Sequence, residues 1–349
     1  MKHKPIRSIL LVAVLLLLAA CGGGSNESAS TSSGSSSESS SSGSSGSEAP
    51  EASKPNTLSA IKVDKVSSDA GAGFWGNAPK LTTMTEAARE GEPNGPDITL
   101  QAAYDGNQIA IRAEWADATE SIFKKGWTWD GSAFEKSGDE DRLMFAFPIG
   151  NNAEFASKGC TAACHNMADN PDEWWMGSES ADVLYDAWHW KAARTHPVAQ
   201  VDDKWWGTQE DPTDPESSRH GDAKESGGQT TNANEAGDGP AFMHGSDLKS
   251  SFIFAGEEVA LDTSKLEAGM VVPGYIVEKL VGSRGDIAAN GSWQDGKWIV
   301  VLTRDLDTGH DDDAVFNPPK PIPFGLSVID NGGGLDHTNA PDVLTLEWK

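Results

Sequence analysis

Apolar and polar residues alternating at a spacing of two constrain this chain more than any other pattern in it. Residues 97–104 (Asp-Ile-Thr-Leu-Gln-Ala-Ala-Tyr) alternate and stop at Asp105-Gly106-Asn107. Residues 108–115 (Gln-Ile-Ala-Ile-Arg-Ala-Glu-Trp) then alternate again. This pattern predicts a β-hairpin with a short Gly-containing turn. Arg142 to Pro148 read as a buried strand. Gly291 to Trp293 and Trp298 to Arg304 form a second hairpin, and Ile322 to Asp330 and Val343 to Trp348 are two more strands. Prolines near the start of the Ile322 strand suggest an edge or opening position. Helical periodicity is scarce, and 37 Gly and 18 Pro punctuate the chain. Many short strands between turns predict an all-β fold, an antiparallel β-sandwich with long loops and a few short helices. Asp202 to about Ser251 is polar, rich in Gly, Asp and Asn, and without periodicity. It reads as a long loop that covers a site or is partly disordered.

The N-terminus sets the expected compartment. Lys2, Lys4 and Arg7 precede the apolar run Ile9 to Ala20, which has the length of a secretory signal and is short for a membrane span. Leu18-Ala19-Ala20-Cys21 looks like a bacterial lipobox, with Cys21 as the lipidated residue; a simple signal peptide is the alternative. Gly22 rather than Asp follows, so nothing argues for retention at the inner membrane. Residues from Gly22 to about Lys54 are mostly Ser, Gly, Glu and Ala and cannot bury a core. The expected organisation is a signal peptide over 1–20, a lipidated Cys with a disordered Ser/Gly-rich tether over 21–55, and a β-sandwich domain over 56–349. The expected location is the cell envelope of a Gram-negative bacterium, lipid-anchored at the periplasmic face or outer membrane. Against 27 basic side chains stand 53 acidic ones, a net charge of −26. That field excludes nucleic acid as a partner and attracts a redox protein with a basic docking surface; solubility in a salty medium is a compatible reading.

With Cys21 committed to lipid, Cys160 and Cys164 remain from a total of three cysteines. They lie in Gly159-Cys160-Thr161-Ala162-Ala163-Cys164-His165. Two thiols with an imidazole directly after the second are the kit for covalent haem attachment, with His165 as the proximal iron ligand. The usual spacing has one residue fewer between the cysteines. Soft and aromatic residues then crowd the stretch to Arg194: Met167, Trp174, Trp175, Met176, Trp188, His189, Trp190 and Lys191. The Trp188-His189-Trp190-Lys191 run reads as a pocket, with Trp188 and Trp190 as apolar walls beside a macrocycle. Trp115, Trp293, Trp298 and Trp348 read as core. Along a strand, His189 and Lys191 share one face and the two tryptophans the other. Met167 sits awkwardly close to His165. His189, Met176 and then Lys191 are the candidates for the distal ligand, and the choice stays open. His196, His220 and His244 read as ordinary hydrogen-bonded histidines.

The segment Asp186 to Arg194, followed by Asp202-Asp203, resembles the haem-binding domain of the ethylbenzene dehydrogenase γ-subunit and dimethyl sulfide dehydrogenase-like family. Trp115-Ala116-Asp117, Gly296-Lys297-Trp298, Thr303 to Gly309, Phe324 to Asn331 and His337 are similar as well, in the expected order over roughly residues 58–349. The resemblance implies a β-sandwich that binds one haem and relays electrons. In the γ-subunits it implies a haem b held by Met and Lys. This chain departs from them in carrying Cys160, Cys164 and His165, and so looks like the branch with one covalent haem c; haem b is the second choice. An iron coordinated on both faces leaves no position for substrate, so no enzymatic activity is expected. The rivals are a carbohydrate-binding sandwich, with Cys160 and Cys164 as a disulfide, and a copper site of His165, Met167, Met176 and His189. His310-Asp311-Asp312-Asp313 offers hard oxygen ligands for calcium but has no EF-hand spacing and reads as a solvated acidic loop.

Overall fold

The computed structural model describes residues 54–150, 152–159, 175–178, 180–211, 214, 217–221, 227–333 and 336–349. The expected signal peptide and most of the expected tether, with Cys21, Cys160, Cys164, His165, Met167 and Trp174, lie outside them.

Eleven strands build the main sheet: β1 (Thr57–Lys62), β2 (Ile98–Tyr104), β3 (Gln108–Ala116), β4 (Glu140–Ile149), β5 (Leu184–Lys191), β6 (Asp202–Trp206), β7 (Arg219–His220), β8 (Ala288–Trp293), β9 (Lys297–Asp305), β10 (Ile322–Gly332) and β11 (Leu344–Trp348). Their spatial order is β7-β6-β5-β4-β10-β11-β1-β2-β3-β9-β8, with three short strands off this path. β10 turns the sheet over on itself. Its first residues pair with β11 (Ile322↔Leu346), and from Gly325 on it pairs with β4 (Gly325↔Ala146). One layer is therefore β7-β6-β5-β4-β10 and the other β11-β1-β2-β3-β9-β8, the all-β sandwich that the alternation predicts. Pro323, which has no N–H for a ladder, is the second residue of β10.

Both hairpins form where alternation placed them, with Tyr104↔Ile109 closing one and Trp293↔Trp298 the other. Alternation also sends Leu143, Phe145 and Phe147 of β4 inward. They meet Ile111, Ala113 and Trp115 of β3 and Trp298, Val300 and Leu302 of β9 in one core. Trp298 Nε1 crosses between the layers and donates to Asp141 Oδ2 of β4 at 2.9 Å. A second, smaller core lies on the outer face of β4 and β5. There Met144, Ala146, Tyr185, Ala187 and Trp206 hold Phe155 of the short helix α1 (Ala153–Lys158). Asn152 caps that helix by accepting from the Phe155 N–H, and Gly159 ends it at a φ of 59°.

The stretch read as a long loop from Asp202 starts as a sheet strand. β6 pairs with β5 from Asp202↔His189 to Trp206↔Tyr185, and further short strands follow near Thr231, Met243, Phe254 and Val259. The polar sequence hid β6 because charged side chains leave it on both faces. Among the described residues no helix is long and apolar enough to cross a membrane.

Candidate functional site

The outer face of β10, β4, β5 and β6 forms the floor of a cavity of about 420 Å³, within the range of cofactor pockets. The floor is a grid fixed by register. Ser327, Met144, His189 and Asp202 form one row across four strands. Ile329, Arg142 and Lys191 form the next, and Ala187 with Lys204 a third. Ala187 carries only a methyl group, which keeps the floor low between longer side chains. Met176, Arg194, Trp206, Arg219, Gln229 and His337 complete the lining.

In a chain of net charge −26, this cavity is cationic: among the described residues Arg142, Lys191, Arg194, Lys204 and Arg219 line it against Asp202 alone. Carboxylates beside it hold Arg142, Lys191, Arg194 and Lys204 in place. Lys191 Nζ donates to Asp202 Oδ2. Arg284 Nε donates to Asp202 Oδ1 at 2.6 Å, and Lys204 Nζ lies 3.9 Å from Oδ2. Arg194 Nε donates to Glu140 Oε1 at 2.7 Å, and Arg142 Nη2 donates to Asp139 Oδ1 at 2.6 Å. Burial opposes ionisation of Asp202, but Lys191, Lys204 and Arg284 outweigh it and hold the carboxyl far below its usual range. Burial lowers the Lys191 ammonium, with Asp202 pulling the other way.

His189 differs from its neighbours. It lines the cavity and its Nε2 is buried without a hydrogen-bond partner. Burial, and then Lys191, Arg142 and Arg194, push its pKa well below the ordinary value, so the imidazole is neutral. Two thioethers accompany it. Met144 is its direct neighbour across β4, and Met176 Sδ lies 3.8 Å from Arg219 Nη1. A neutral imidazole with an unused nitrogen, two thioethers and a lysine make up a donor set that fits a haem iron.

Of the residues expected at the site, the cavity brings together Met176, His189 and Lys191. Trp188 and Trp190 do not line it. Both are fully buried in the inter-sheet core, where Trp190 packs edge-on to Trp298 at 5.0 Å. Alternation along β5 forces this, because a strand that sends His189 outward must send its neighbours inward. Trp115 and Trp298 are core as expected, and Trp293 and Trp348 are partly buried at the edge of that core, Trp348 beside Tyr104 and Phe316. His196 packs on Trp190 and Trp298, His220 stacks on Trp205, and His244 Nδ1 accepts from the Ser246 and Asp247 amides. Sequence reading missed Met144, Arg142, Lys204 and Arg219 as members of the site. The available signal was their parity with His189 and Lys191 on neighbouring strands, which needs the register to be read.

A family model described as ethylbenzene dehydrogenase matches residues 72–339. No curated protein matches the chain. Among solved structures, a putative carbohydrate-binding protein from Bacteroides uniformis is 10% identical, with 84% of this chain and 99% of that one covered and a TM-score of 0.38. A family 9 carbohydrate-binding module from Caldicellulosiruptor kristjanssonii, in complex with cellotriose, is 7% identical over 84% of this chain and 93% of that one, with a TM-score of 0.32. Likeness at that level carries nothing about a ligand of this chain. The family match spans most of the sandwich, from the segment between β1 and β2 to the segment between β10 and β11, and by it the chain belongs to the ethylbenzene dehydrogenase family.

Proposed function

We propose that this chain is a monohaem electron-transfer protein of the cell envelope, with a covalent haem c seated in the cationic cavity. The observation that carries this reading is the buried Nε2 of His189, a neutral imidazole nitrogen without a partner in a cavity lined by thioethers and cations. A further observation supports attachment. Gly159, the residue before Cys160, directly follows the helix whose Phe155 packs with Met144 and Trp206, and the cavity residue Met176 comes later in the same segment of sequence. Cys160, Cys164 and His165 belong to the stretch between these two points. On this reading Cys160 and Cys164 would hold the haem covalently, and His165 and His189 would bind its iron, because Lys191 Nζ is engaged by Asp202 and Met176 Sδ by Arg219. Arg142, Lys204 and Arg219 would face the haem carboxylates. When bound, the haem supplies a one-electron couple. The chain's own residues orient it, exclude water and neutralise its negative charge. No substrate chemistry is proposed. Cys21 carries the lipid, and the acidic surface meets a basic redox partner.

The test is a pyridine haemochrome spectrum of the full chain made in cells with cytochrome c maturation. A c-type α-band that survives acid-acetone extraction is expected. In His189→Ala the attached haem should lose its low-spin spectrum, and in His165→Ala likewise. A b-type band would return the site to Met176 and Lys191. Protein without haem overturns the reading and leaves sugar or copper. For sugar, the only exposed aromatic side chain among the described residues is Phe242, a poor platform for a pyranose ring.

A further inference from the structure

On the inner side of the same strands lies a second polar cluster that the haem reading does not use. Asp186 and Asp203 share the parity of Trp188 and point into the sandwich (Asp203↔Trp188). Asp313, expected in a solvated loop, is buried with them. One ligand oxygen from each of the three lies within 4.8 Å of the others. Asp286 lies near enough to Asp313 for that carboxylate, after burial, to raise its pKa. The counter-charge is Arg304 of β9, fully buried, whose Nη1 donates to Asp186 Oδ2 at 2.7 Å. Its guanidinium lies 4.8 Å from the Trp188 ring centre and 5.0 Å from that of Phe316. One guanidinium does not satisfy four carboxylates. Both oxygens of Asp203, Oδ1 of Asp186 and both oxygens of Asp286 are buried without a hydrogen-bond partner, and Arg304 comes no nearer to Asp203 than 4.0 Å.

We propose that Asp186, Asp203, Asp286 and Asp313 bind one hard divalent cation, Ca²⁺ by the chemistry of the ligands. The donors are all oxygen, which selects calcium or magnesium over zinc or copper. Two oxygens held by one Ca²⁺ at about 2.4 Å are at most about 4.8 Å apart, and the cluster has that span. A buried carboxylate with neither oxygen engaged is costly unless a cation or proton joins it. Asp203 has no donor to serve it, so the cation supplies what the protein withholds. The other carboxylate group among the described residues, Asp117, Asp141 and Asp330, is better served: Asp141 takes the amides of Ser121 and Asn331 and the Trp298 indole, and Asp117 Oδ1 takes the Thr119 amide, which leaves Asp117 Oδ2 buried without a partner. A cation at Asp203 would join β5, β6, the segment before β8 and the segment before β10, and so fasten one layer to the other.

The experiment uses the full chain, stripped with EDTA and titrated with Ca²⁺ by calorimetry, with thermal melts at each step. One equivalent of Ca²⁺ should bind and raise Tm by several degrees, and Mg²⁺, with its stricter octahedral demand, should bind more weakly. Asp203→Asn keeps the shape and should lose affinity by at least about tenfold. Calcium-independent melts, or an unchanged affinity in Asp203→Asn, overturn the proposal. Protons would then fill the cluster. Should that variant fail to fold, Tb³⁺ luminescence of the unaltered chain decides. Emission sensitised by tryptophan and displaced by Ca²⁺ supports the site, and its absence overturns it. The calorimetric readout does not depend on haem, and the Tb³⁺ measurement is made on protein without haem, which would otherwise quench the emission.

Discussion

Asp202 is the residue on which the cavity's charge turns. Three cations meet at its carboxylate: Lys191, Arg284 and Lys204. Asp202→Asn leaves them without that partner, and breaking a buried pair from one side costs about 3–5 kcal/mol. Urea denaturation should show that loss. A loss below about 1 kcal/mol would mean that water already screens the group. The folded carboxyl ionises far below its ordinary value of 3.8. The contribution is therefore complete at neutral pH and fades as pH falls below that value. Asp117 behaves in the opposite sense. Burial raises it to about 6 against the Thr119 amide, and the carboxylates of Asp141 and Asp330 add to the rise. Between the ordinary 3.8 and about 6 the folded chain holds a proton that the unfolded chain has released, so stability declines as pH rises through that window. Asp117→Asn should flatten the plot of Tm against pH there. A slope equal to that of the unaltered protein would show that another group titrates.

At the scale of elements, the link between β9 and β4 is the indole of Trp298 on Asp141. Trp298→Phe keeps an aromatic ring in the core and removes the donor, at a cost of about 1.5–3 kcal/mol, the worth of a hydrogen bond to a charged group. Equilibrium denaturation of the two proteins measures it. The strands were legible where one face is apolar. The hairpin of β2 and β3 and that of β8 and β9 could be drawn from alternation alone, the register coming from the structure. β6 was not legible, because Asp202 and Lys204 face the cavity and Asp203 faces the buried cluster. Periodicity needs a contrast between faces, and β6 has none. The same limit applies to the site. His189, Lys191 and Met176 stood out by residue type, whereas Arg142 and Met144 join them only through pairing of strands about fifty residues apart in sequence. Trp188 and Trp190 show the reverse error: residue type suggested a pocket, and parity placed them in the core.

At the scale of the whole molecule, a cationic cavity lies in a chain of net charge −26. The proposed haem would then sit in a local positive field surrounded by a long-range negative one. Small cationic oxidants should react faster than anionic ones at low ionic strength, and added salt should narrow the gap within a Debye length of about 8–10 Å. Stopped-flow traces with a cationic and an anionic reagent of matched potential test this. Equal rates at low salt would place the exposed haem edge away from the acidic surface.

The turnover at β10 has a consequence for how the molecule comes apart. Because β10 pairs with β11 at one end and β4 at the other, the two layers are a single folded cloth with a crease along one side. The far margin is only stitched. Val201 N–H donates to Ile287 O, Ala289 N–H donates to Ala199 O, and Arg304 reaches across to Asp186. Such a fabric frays from the stitched margin and never from the crease. Deuterium should therefore enter at Val201 and Ala289 well before it reaches the amides of β10.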